Sequence, residues 1–299
     1  MKKNGFTLIE ILGVITLLAL LSVVVLMVTD NSLKKSKKTL SDAQISNIKS
    51  AASMWRTDNI GMIPDDGYYV ISLDELMDLG YIGNVVDPNS NKEYDKSLLI
   101  NVGINDVSIN TEYKKIDYIT NGNNQYIDTG YIPNQDTSIE MVASQIVSGG
   151  LAWYGSRNVA ASSTGSAFGF WTSSSNFLPY YQVQTSANSV SGFQVNTVYK
   201  IFQDKNNLYI NDELKRTFDY VSFSSSVSLT LFAFNNLEAN STYNSANQVD
   251  KRIAYLDLYY CKIWDNNVLV RDFIPVQNDA GEKKLLDRVE NNFYVFSTR

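Results

Sequence analysis

The feature that most constrains this chain is an apolar stretch near its N-terminus, which runs from Phe6 to Val28 without a proline. A helix needs about 20 apolar residues to cross a bilayer, and this stretch is long enough. Its one charged residue is Glu10. A charge at the centre of a membrane helix costs about 2.5–3.5 kcal/mol on insertion scales, so Glu10 is a candidate functional residue. The alternative is that Glu10 lies close enough to the interface for its carboxylate to reach water.

The residues before this stretch carry a specific motif. A short basic leader ends at Gly5, and the next five residues read Phe-Thr-Leu-Ile-Glu. An ordinary secretory signal has its cleavage site after the apolar region, whereas the candidate site here precedes it. The motif resembles the class III leader of type IV pilins and pseudopilins, in which a prepilin peptidase cuts after the glycine and methylates the new amino terminus.

This resemblance implies roles for three residues. Cleavage would fall between Gly5 and Phe6, and Phe6 would become the N-methylated first residue. Glu10 would meet the terminal amine of a neighbouring subunit and fix the axial register of a filament. A pair within one helix is the alternative, because Phe6 and Glu10 lie one turn apart. The expected partners are a prepilin peptidase, the membrane and other pilin subunits.

The charges that flank the apolar stretch favour a different orientation from the motif. Two lysines precede the stretch, and four follow it, at Lys34, Lys35, Lys37 and Lys38. The positive-inside rule alone would place the C-terminal side in the cytoplasm. We adopt the pilin topology because the motif is specific, whereas the charge rule is a bias. The expected location is therefore a single-pass membrane protein that later lies on the cell surface or in a pilus.

The composition excludes several kinds of site. The chain has 299 residues and no histidine, which removes Ser-His-Asp and Cys-His catalytic sites and histidine-liganded zinc. Its net charge of -6 provides no general basic surface, so no nucleic-acid partner is expected. The single cysteine, Cys261, lies in an apolar run and is predicted to be a core residue.

The chain after the apolar stretch continues the helical pattern. Apolar residues recur at roughly helical spacing at Leu40, Ala43, Ile45, Ile48, Ala51, Ala52 and Trp55. No proline interrupts residues 6–56. We therefore predict one helix of about 50 residues, roughly 75 Å long, whose outer half packs on a small head.

The predicted head combines a short helix with strands. Ser72 and Glu75 predict a capping box at the start of this helix, and Gly80 predicts its C-terminal cap. Two predicted strands follow, at 97–102 and 107–113. This order resembles the small heads of Gram-positive pilins and pseudopilins.

From Lys114 onward, short runs of Tyr, Ile, Val, Phe and Thr alternate with Asn, Ser and Gly turns, which is typical of an all-β sandwich. The segments 126–133, 231–234, 269–281 and 293–294 together resemble concanavalin A-like, laminin-G-like jelly-roll modules. The predicted strands lie at 116–120, 138–144, 167–172, 178–184, 197–203, 207–210, 227–233, 254–264 and 268–275. A hairpin tip is predicted near Asn211.

The predicted fold class is an α+β pilin, with a long N-terminal helix and a small β head, followed by an all-β jelly-roll sandwich. The leader occupies residues 1–5, the pilin-like domain 6–113 and the sandwich 114–299. Since this sandwich fold hosts lectins, glucanases and plain spacers, the fold does not define the activity. Glucanases on it carry a Glu-x-Asp-x-Glu strand, and this pattern does not occur after Lys114. The chain is predicted not to be an enzyme.

Ligand binding is favoured over catalysis. Sugar rings stack their flat C–H faces on aromatic side chains, while neighbouring polar groups set their orientation. The candidate ligand-binding residues are Trp153, Tyr154, Trp171, Tyr180 and Tyr181. For any one of them a core position is the favoured alternative, because a sandwich of this size needs aromatic filling. Asp128, Asp136 and Asp257 are candidate calcium ligands, but they lack a recognisable spacing and no metal site is assigned.

The sequence therefore predicts a minor or tip type IV pilin-like subunit that displays a jelly-roll adhesin. The predicted ligand is a glycan, a host protein or a matrix protein. The alternative is a pseudopilin of a type II secretion-like or DNA-uptake machine, in which the β domain is structural. An acidic, aromatic-rich surface argues against direct binding of DNA.

Overall fold

The computed structural model describes residues 8–88, 90–158, 166–173, 175–182, 188–237, 248–250 and 252–299. The first element is α1, Leu8–Asp58, a helix of 51 residues, and a 3-10 turn follows at Ile60–Met62. The prediction of one helix of about 50 residues is confirmed. Between residues 8 and 34, side chains are described only for Leu12, Ile15 and Thr16.

The outer part of α1 packs on the small head. Ile48, Ala52 and Trp55 are buried in a cluster with side chains of the head. The predicted apolar stripe is wrong at Leu40, which is 55% exposed, and at Ala43, which is also exposed. The reason is helical phase, because the side of the helix that faces the head continues from Ile48 to Ser41, whose hydroxyl lies 3.2 Å from that of Tyr94.

The head contains α2, Leu73–Asp78, and five strands: β1 Tyr69–Ser72, β2 Val86–Asp87, β3 Lys92–Glu93, β4 Leu98–Val102 and β5 Val107–Lys115. The predicted capping box is confirmed, since the backbone N–H of Glu75 donates to the Ser72 hydroxyl and the backbone N–H of Ser72 donates to the Glu75 carboxylate. Gly80 has a φ of +80°, a left-handed conformation that suits glycine just after a helix.

The remaining chain contributes strands β6 to β23 within the described residues. They are β6 Ile119–Thr120, β7 Gln125–Asp128, β8 Thr137–Gln145, β9 Ala152–Arg157, β10 Ala167–Thr172, β11 Asn176–Tyr181, β12 Val190–Ser191, β13 Val198–Asp204, β14 Asn207–Ile210, β15 Glu213–Thr217, β16 Thr230–Leu231, β17 Asn235–Asn236, β18 Gln248–Val249, β19 Leu256–Asp265, β20 Val268–Asn278, β21 Lys283–Asp287, β22 Asn292–Tyr294 and β23 Ser297–Thr298.

These strands form two large sheets. The main sheet has the order β1-β4-β5-β20-β19-β8-β13-β14-β15, with β21 joined to β20, β22 to β21 and β6 to β19. The second sheet has the order β12-β11-β10-β9-β16-β7-β23, with β17 joined to β9 and β18 to β17. One core cluster holds side chains of both sheets, such as Met141 and Ile263 from the main sheet and Phe168 and Phe170 from the second. The two sheets therefore pack as a β-sandwich, and the chain is mostly β structure after α1.

The main sheet continues from the head into the sandwich. β5 pairs with β20 through Tyr113, Lys114 and Lys115, which lie opposite Asn278, Gln277 and Val276. The boundary predicted at 113/114 therefore falls inside a paired strand, and head and sandwich share backbone hydrogen bonds.

The predicted strands differ from the structure in several places: the strand at 116–120 is reduced to β6, and strands such as β15, β21 and β22 are not predicted. Two further differences have a clear local cause. The predicted strand at 227–233 is reduced to the two residues of β16, because Phe232, with a φ of +71°, turns the chain away from the sheet. β9 is not predicted at all. All six of its residues are buried, so it lacks the alternation that marks a half-exposed strand.

Candidate functional site

The five aromatic residues predicted to bind ligand are all buried. Trp153 and Tyr154 are fully buried, and Trp171, Tyr180 and Tyr181 are 6%, 4% and 3% exposed. Between the sheets, the indole N–H of Trp153 donates to Gln145 at 2.8 Å. These side chains therefore present no free ring face to a sugar, and the structure assigns them to packing.

Trp171 and Tyr180 lie on the outer face of the second sheet, where other residues cover them. The Phe234 ring lies 6.0 Å from the Trp171 ring and 5.4 Å from the Tyr180 ring. It reaches the sheet because Gly155 and Gly169 have no side chain, and a Cβ at either position would overlap the Phe234 ring. We call the described residues 234–237, 248–250, 252 and 253 the covering segment.

A buried ionic cluster fixes the covering segment to the second sheet. The Arg157 guanidinium on β9 lies 3.0 Å from the Asp250 carboxylate, and both side chains are almost completely buried. Arg252 pairs with the same carboxylate at 2.7 Å, and its guanidinium lies 3.9 Å from the centre of the Trp171 ring. Cation–π and charge-assisted contacts of this kind are strong when they are desolvated. These residues therefore cover the part of the outer face of the second sheet that carries Trp171.

The outer face of the main sheet carries a second group of aromatic side chains. Phe202 on β13 lies 6.0 Å from Trp264 on β19 and 5.9 Å from Tyr209 on β14, measured between ring centres. All three are half-buried. They point outward because Ile201 and Ile263, their neighbours in sequence, point into the core, and side chains alternate along a strand. We call Trp264, Phe202 and Tyr209 the aromatic row.

Charged and polar groups lie beside the aromatic row. The Glu140 carboxylate is 3.3 Å from the Lys200 ammonium and accepts a hydrogen bond of 2.8 Å from the Tyr260 hydroxyl. Lys200 also pairs with Asp212 at 2.8 Å. The hydrogen bond to Asp212 raises the pKa of Lys200, and burial together with Glu140 raises the pKa of Tyr260. This network therefore holds its donors and acceptors in fixed positions on the sheet.

The head covers another part of the same face through Arg288, which follows β21. The Arg288 guanidinium lies 2.8 Å from the Glu75 carboxylate of α2 and 2.9 Å from the Asp272 carboxylate of β20. It also lies 5.0 Å from the centre of the Tyr69 ring, and the Tyr69 hydroxyl donates to Asp272 at 3.2 Å. We call Tyr69, Glu75, Asp272 and Arg288 the junction cluster.

The electrostatics of the junction cluster are those of a buried ion pair. Burial disfavours the charged form of Glu75, but the Arg288 guanidinium, the Lys115 ammonium and the hydrogen bond from the Ser72 backbone together outweigh it and lower the pKa of Glu75 to about 2. Burial raises the pKa of Tyr69, so its hydroxyl stays protonated and donates to Asp272. A cleft of 320 Å³ opens beside the cluster, and Trp55, Leu79 and Lys262 contribute to its walls.

The three candidate calcium ligands do not come together. Asp128 ends β7 of the second sheet, whereas Asp136 and Asp257 lie in or beside strands of the main sheet. Each carboxylate accepts a hydrogen bond from the protein, donated by Gly130, Tyr220 and Thr120 respectively. In the part of the chain that the structure describes, no three Asp, Glu, Cys or His side chains group as metal ligands would.

Sequence reasoning did not single out the aromatic row or the junction cluster. The signal for the row was present in the alternation of Ile201, Phe202 and Gln203, which places Phe202 on the face opposite the core. The junction cluster had no such signal, because Glu75 and Arg288 are separated by 213 positions in the chain.

A family model for the prokaryotic N-terminal methylation motif matches residues 1–26. No curated protein matches the chain. The match supports the predicted type IV pilin-type leader, and with it a pilin- or pseudopilin-like subunit that a prepilin peptidase processes and that assembles with other pilins. A leader of this type goes with anchoring in the membrane and then display on the pilus surface.

The structure describes only part of this motif. Gly5 and Phe6 lie outside the described residues, and at Glu10 only the helical backbone of α1 is described. Within the described part of the chain, no helix is both long and apolar enough to cross a membrane. The roles of Gly5, Phe6 and Glu10 remain predictions.

Proposed function

We propose that this protein is a minor or tip subunit of a type IV pilus-like filament and that its sandwich is a jelly-roll adhesin of the concanavalin A-like, laminin-G-like kind. One observation carries the proposal: the methylation motif at residues 1–26 leads through a 51-residue helix into a head that shares its sheet with a much larger sandwich. The motif supports assembly, and the sandwich is the part available for display.

The size of the sandwich supports a minor or tip position. Helices of neighbouring subunits pack side by side in a filament, whereas each subunit here carries a two-sheet sandwich in addition to the head. A sandwich on every subunit would crowd a regularly packed fibre. A subunit at the tip, or one present in few copies, avoids this crowding.

The way the sandwich is attached suits a load-bearing adhesin. The sandwich joins the head by the β5–β20 pairing and by the junction cluster, and no flexible linker lies between them. A force applied to the sandwich is therefore transmitted to the head through hydrogen-bonded strands and a buried ion pair. The head in turn packs on α1.

We further propose that the protein binds its ligand, a glycan or a host or matrix protein, without catalysis. Glu75 and Asp272 are two carboxylates that the fold brings together, and Arg288 pairs with both. A glycosidase needs one carboxyl group that can be protonated near neutral pH. Despite its burial, Glu75 has its pKa lowered to about 2 by Arg288, Lys115 and the hydrogen bond from Ser72, which suits a structural ion pair.

At the N-terminus, we propose cleavage after Gly5, methylation of Phe6, and a pair between Glu10 and the amine of a neighbouring subunit. A Glu10→Leu variant should remain in the membrane but be absent from sheared fibres, because it lacks the partner for that amine. A Thr16→Val variant is the matched control on the same helix and should assemble normally. Assembly of the Glu10→Leu variant at the native level would overturn this role.

Immunogold labelling with an antibody raised against residues 114–299 tests the position in the filament. We expect sparse gold particles or particles at fibre tips, and reduced adhesion of cells that lack the protein. Uniform labelling along the fibres would refute the minor or tip position. Labelling confined to the cell envelope, together with a secretion or DNA-uptake defect, would favour the pseudopilin alternative.

A further inference from the structure

We propose that the aromatic row on the outer face of the main sheet is a binding site for a neutral glycan chain. This inference rests on the proposed adhesin function and supplies it with a site and a ligand class. The site differs from the aromatic residues that the sequence suggested, all of which are buried.

Apolar side chains extend the aromatic row at both ends. Leu214 on β15 lies opposite Tyr209 and is 51% exposed, and Leu269 on β20 lies opposite Trp264. The sheet order from β20 to β15 is β20-β19-β8-β13-β14-β15. With neighbouring strands about 4.8 Å apart, the line from Leu269 to Leu214 spans about 24 Å of sheet, and the polar residues Ser138 and Glu140 of β8 lie between Trp264 and Phe202. This length fits an extended chain of several sugar units better than a single sugar.

The aromatic rings supply the contact surface that a sugar needs. The planes of Phe202 and Tyr209 are 28° apart, and Trp264 meets Phe202 at 69°. The three rings therefore lie along one line, and a sugar chain that lies across them can contact each ring in turn.

The charges beside the row favour a neutral ligand. Three carboxylates lie on this face beside the row, those of Glu140, Asp204 and Asp212, against two ammonium groups, those of Lys200 and Lys262, so the face has no excess of positive charge. Lys200 pairs with Glu140 and Asp212, and Lys262 lies 5.8 Å from the centre of the Tyr260 ring. An acidic polysaccharide would need an excess of cations, which this face does not offer. The fixed donors and acceptors instead match uncharged hydroxyl groups, which both donate and accept.

The other face of the sandwich cannot offer the same site within the described residues. Phe234 and Arg252 lie over Trp171, and Phe234 also lies over Tyr180. The two sheets therefore carry similar residues on their outer faces, but only the main sheet leaves its rings accessible in a line.

The test uses the full-length chain in detergent on an array of immobilised neutral hexasaccharides from glucan, mannan, galactan and xylan, with a hyaluronan hexasaccharide as the acidic control. The test variant is Phe202→Thr with Trp264→Thr, which removes both rings and introduces threonine, a β-branched residue that strands favour. The matched control is Val198→Thr, on the same strand and face as Phe202 and 47% exposed. A Trp264→Tyr variant retains a ring, and thermal melting reports the folding of every variant.

We expect at least one neutral hexasaccharide to bind, the double variant to bind it at least tenfold more weakly, and Val198→Thr and Trp264→Tyr to bind within about twofold of the native chain. Equal binding by the folded double variant would overturn this site while leaving the adhesin function intact. If only hyaluronan binds, or no hexasaccharide binds although cells lacking the protein adhere poorly, the ligand class is wrong. Self-association that the double variant abolishes, without glycan binding, would assign the row to a second copy of the chain and overturn the inference.

Discussion

A different part of the chain lies over each outer face of the sandwich, and the extent of each cover explains which surface the protein displays. The head covers one end of the main sheet, where Arg288 pairs with Glu75 and Asp272. The covering segment closes the second sheet, where Arg157 and Arg252 pair with Asp250. In both covers an arginine lies over an aromatic ring, Tyr69 in one and Trp171 in the other.

The difference between the covers lies in their origin and extent. The covering segment belongs to the sandwich itself and lies over the aromatic residues of its own sheet. The head is the part that the long helix carries, and it leaves the main sheet open from β19 to β15. Similar residue types therefore serve packing on one face and are accessible on the other. Exposure is decided by what lies above the sheet.

Breaking the cover made by the head should have the largest effect. An Arg288→Met variant leaves the buried Asp272 carboxylate and the partly buried Glu75 carboxylate without their partner, and loss of one member of a buried ion pair destabilises a protein by about 3–5 kcal/mol. Chemical denaturation of the full chain in detergent measures the loss. The control is Lys114→Met, whose ion pair with Asp95 is about half exposed and should contribute less than about 1 kcal/mol. A similar small loss for both variants would contradict the importance of the junction cluster.

The contribution of the junction cluster to stability should decrease in acid. The pKa of Glu75 in the folded protein is lowered from 4.5 to about 2, so the stability that it contributes is fully present above pH 4.5 and is lost as the pH falls through about 2. A shift of this size corresponds to about 3 kcal/mol. The difference in free energy of unfolding between the native chain and a Glu75→Gln variant should therefore shrink by about that amount between pH 6 and pH 2.

Comparison with Glu75→Gln removes the contribution of other carboxylates. Burial raises the pKa of Asp287, so this group acts in the opposite sense and favours the folded state as the pH falls. It is present in both proteins, and its contribution cancels. A free-energy difference that stays constant across this pH range would show that Arg288 does not hold Glu75 in its charged form.

Disturbing the cover over the second sheet should have a smaller effect. A Gly155→Ala variant places a methyl group against the Phe234 ring, and overpacking of a core position costs about 1–3 kcal/mol. Because Phe234 must shift, Trp171 should become more accessible. The double variant Gly155→Ala with Phe234→Ala should lose less stability than the sum of the two single losses. Gly83→Ala, where no atom lies within 4 Å of the new Cβ, is the control and should be almost neutral.

Local patterns in the sequence were sufficient to predict the long helix α1, the capping box of α2 and several of the strands that have one exposed face. The 51-residue helix follows from uninterrupted apolar spacing, and the Ser72–Glu75 capping box is specified by two residues three apart. The hairpin tip at Asn211 and Asp212 is also confirmed, and both residues have the positive φ that such a turn requires. In each case the physical cause lies within a few residues of its effect.

The two covers could not be predicted from the sequence, because the residues that contact each other in them lie far apart in the chain. β9 has no alternation since both its faces are buried, and Gly155 resembles a strand breaker until Phe234 is seen to lie against it. Trp171 and Phe202 are both aromatic residues in predicted strands, yet only the packing of distant residues such as Phe234 and Arg252 makes one buried and the other accessible.

The four tryptophans provide the most direct test of this account. Trp55, Trp153 and Trp171 are at most 6% exposed, whereas Trp264 in the aromatic row is half-buried. Hydroxyl-radical footprinting of the full-length protein, read by mass spectrometry, compares their oxidation rates in one sample. We expect Trp264 to be oxidised at least tenfold faster than Trp171. Oxidation of Trp171 at the rate of Trp264 or faster would show that the second sheet is open, and would contradict the assignment of the main sheet as the displayed face.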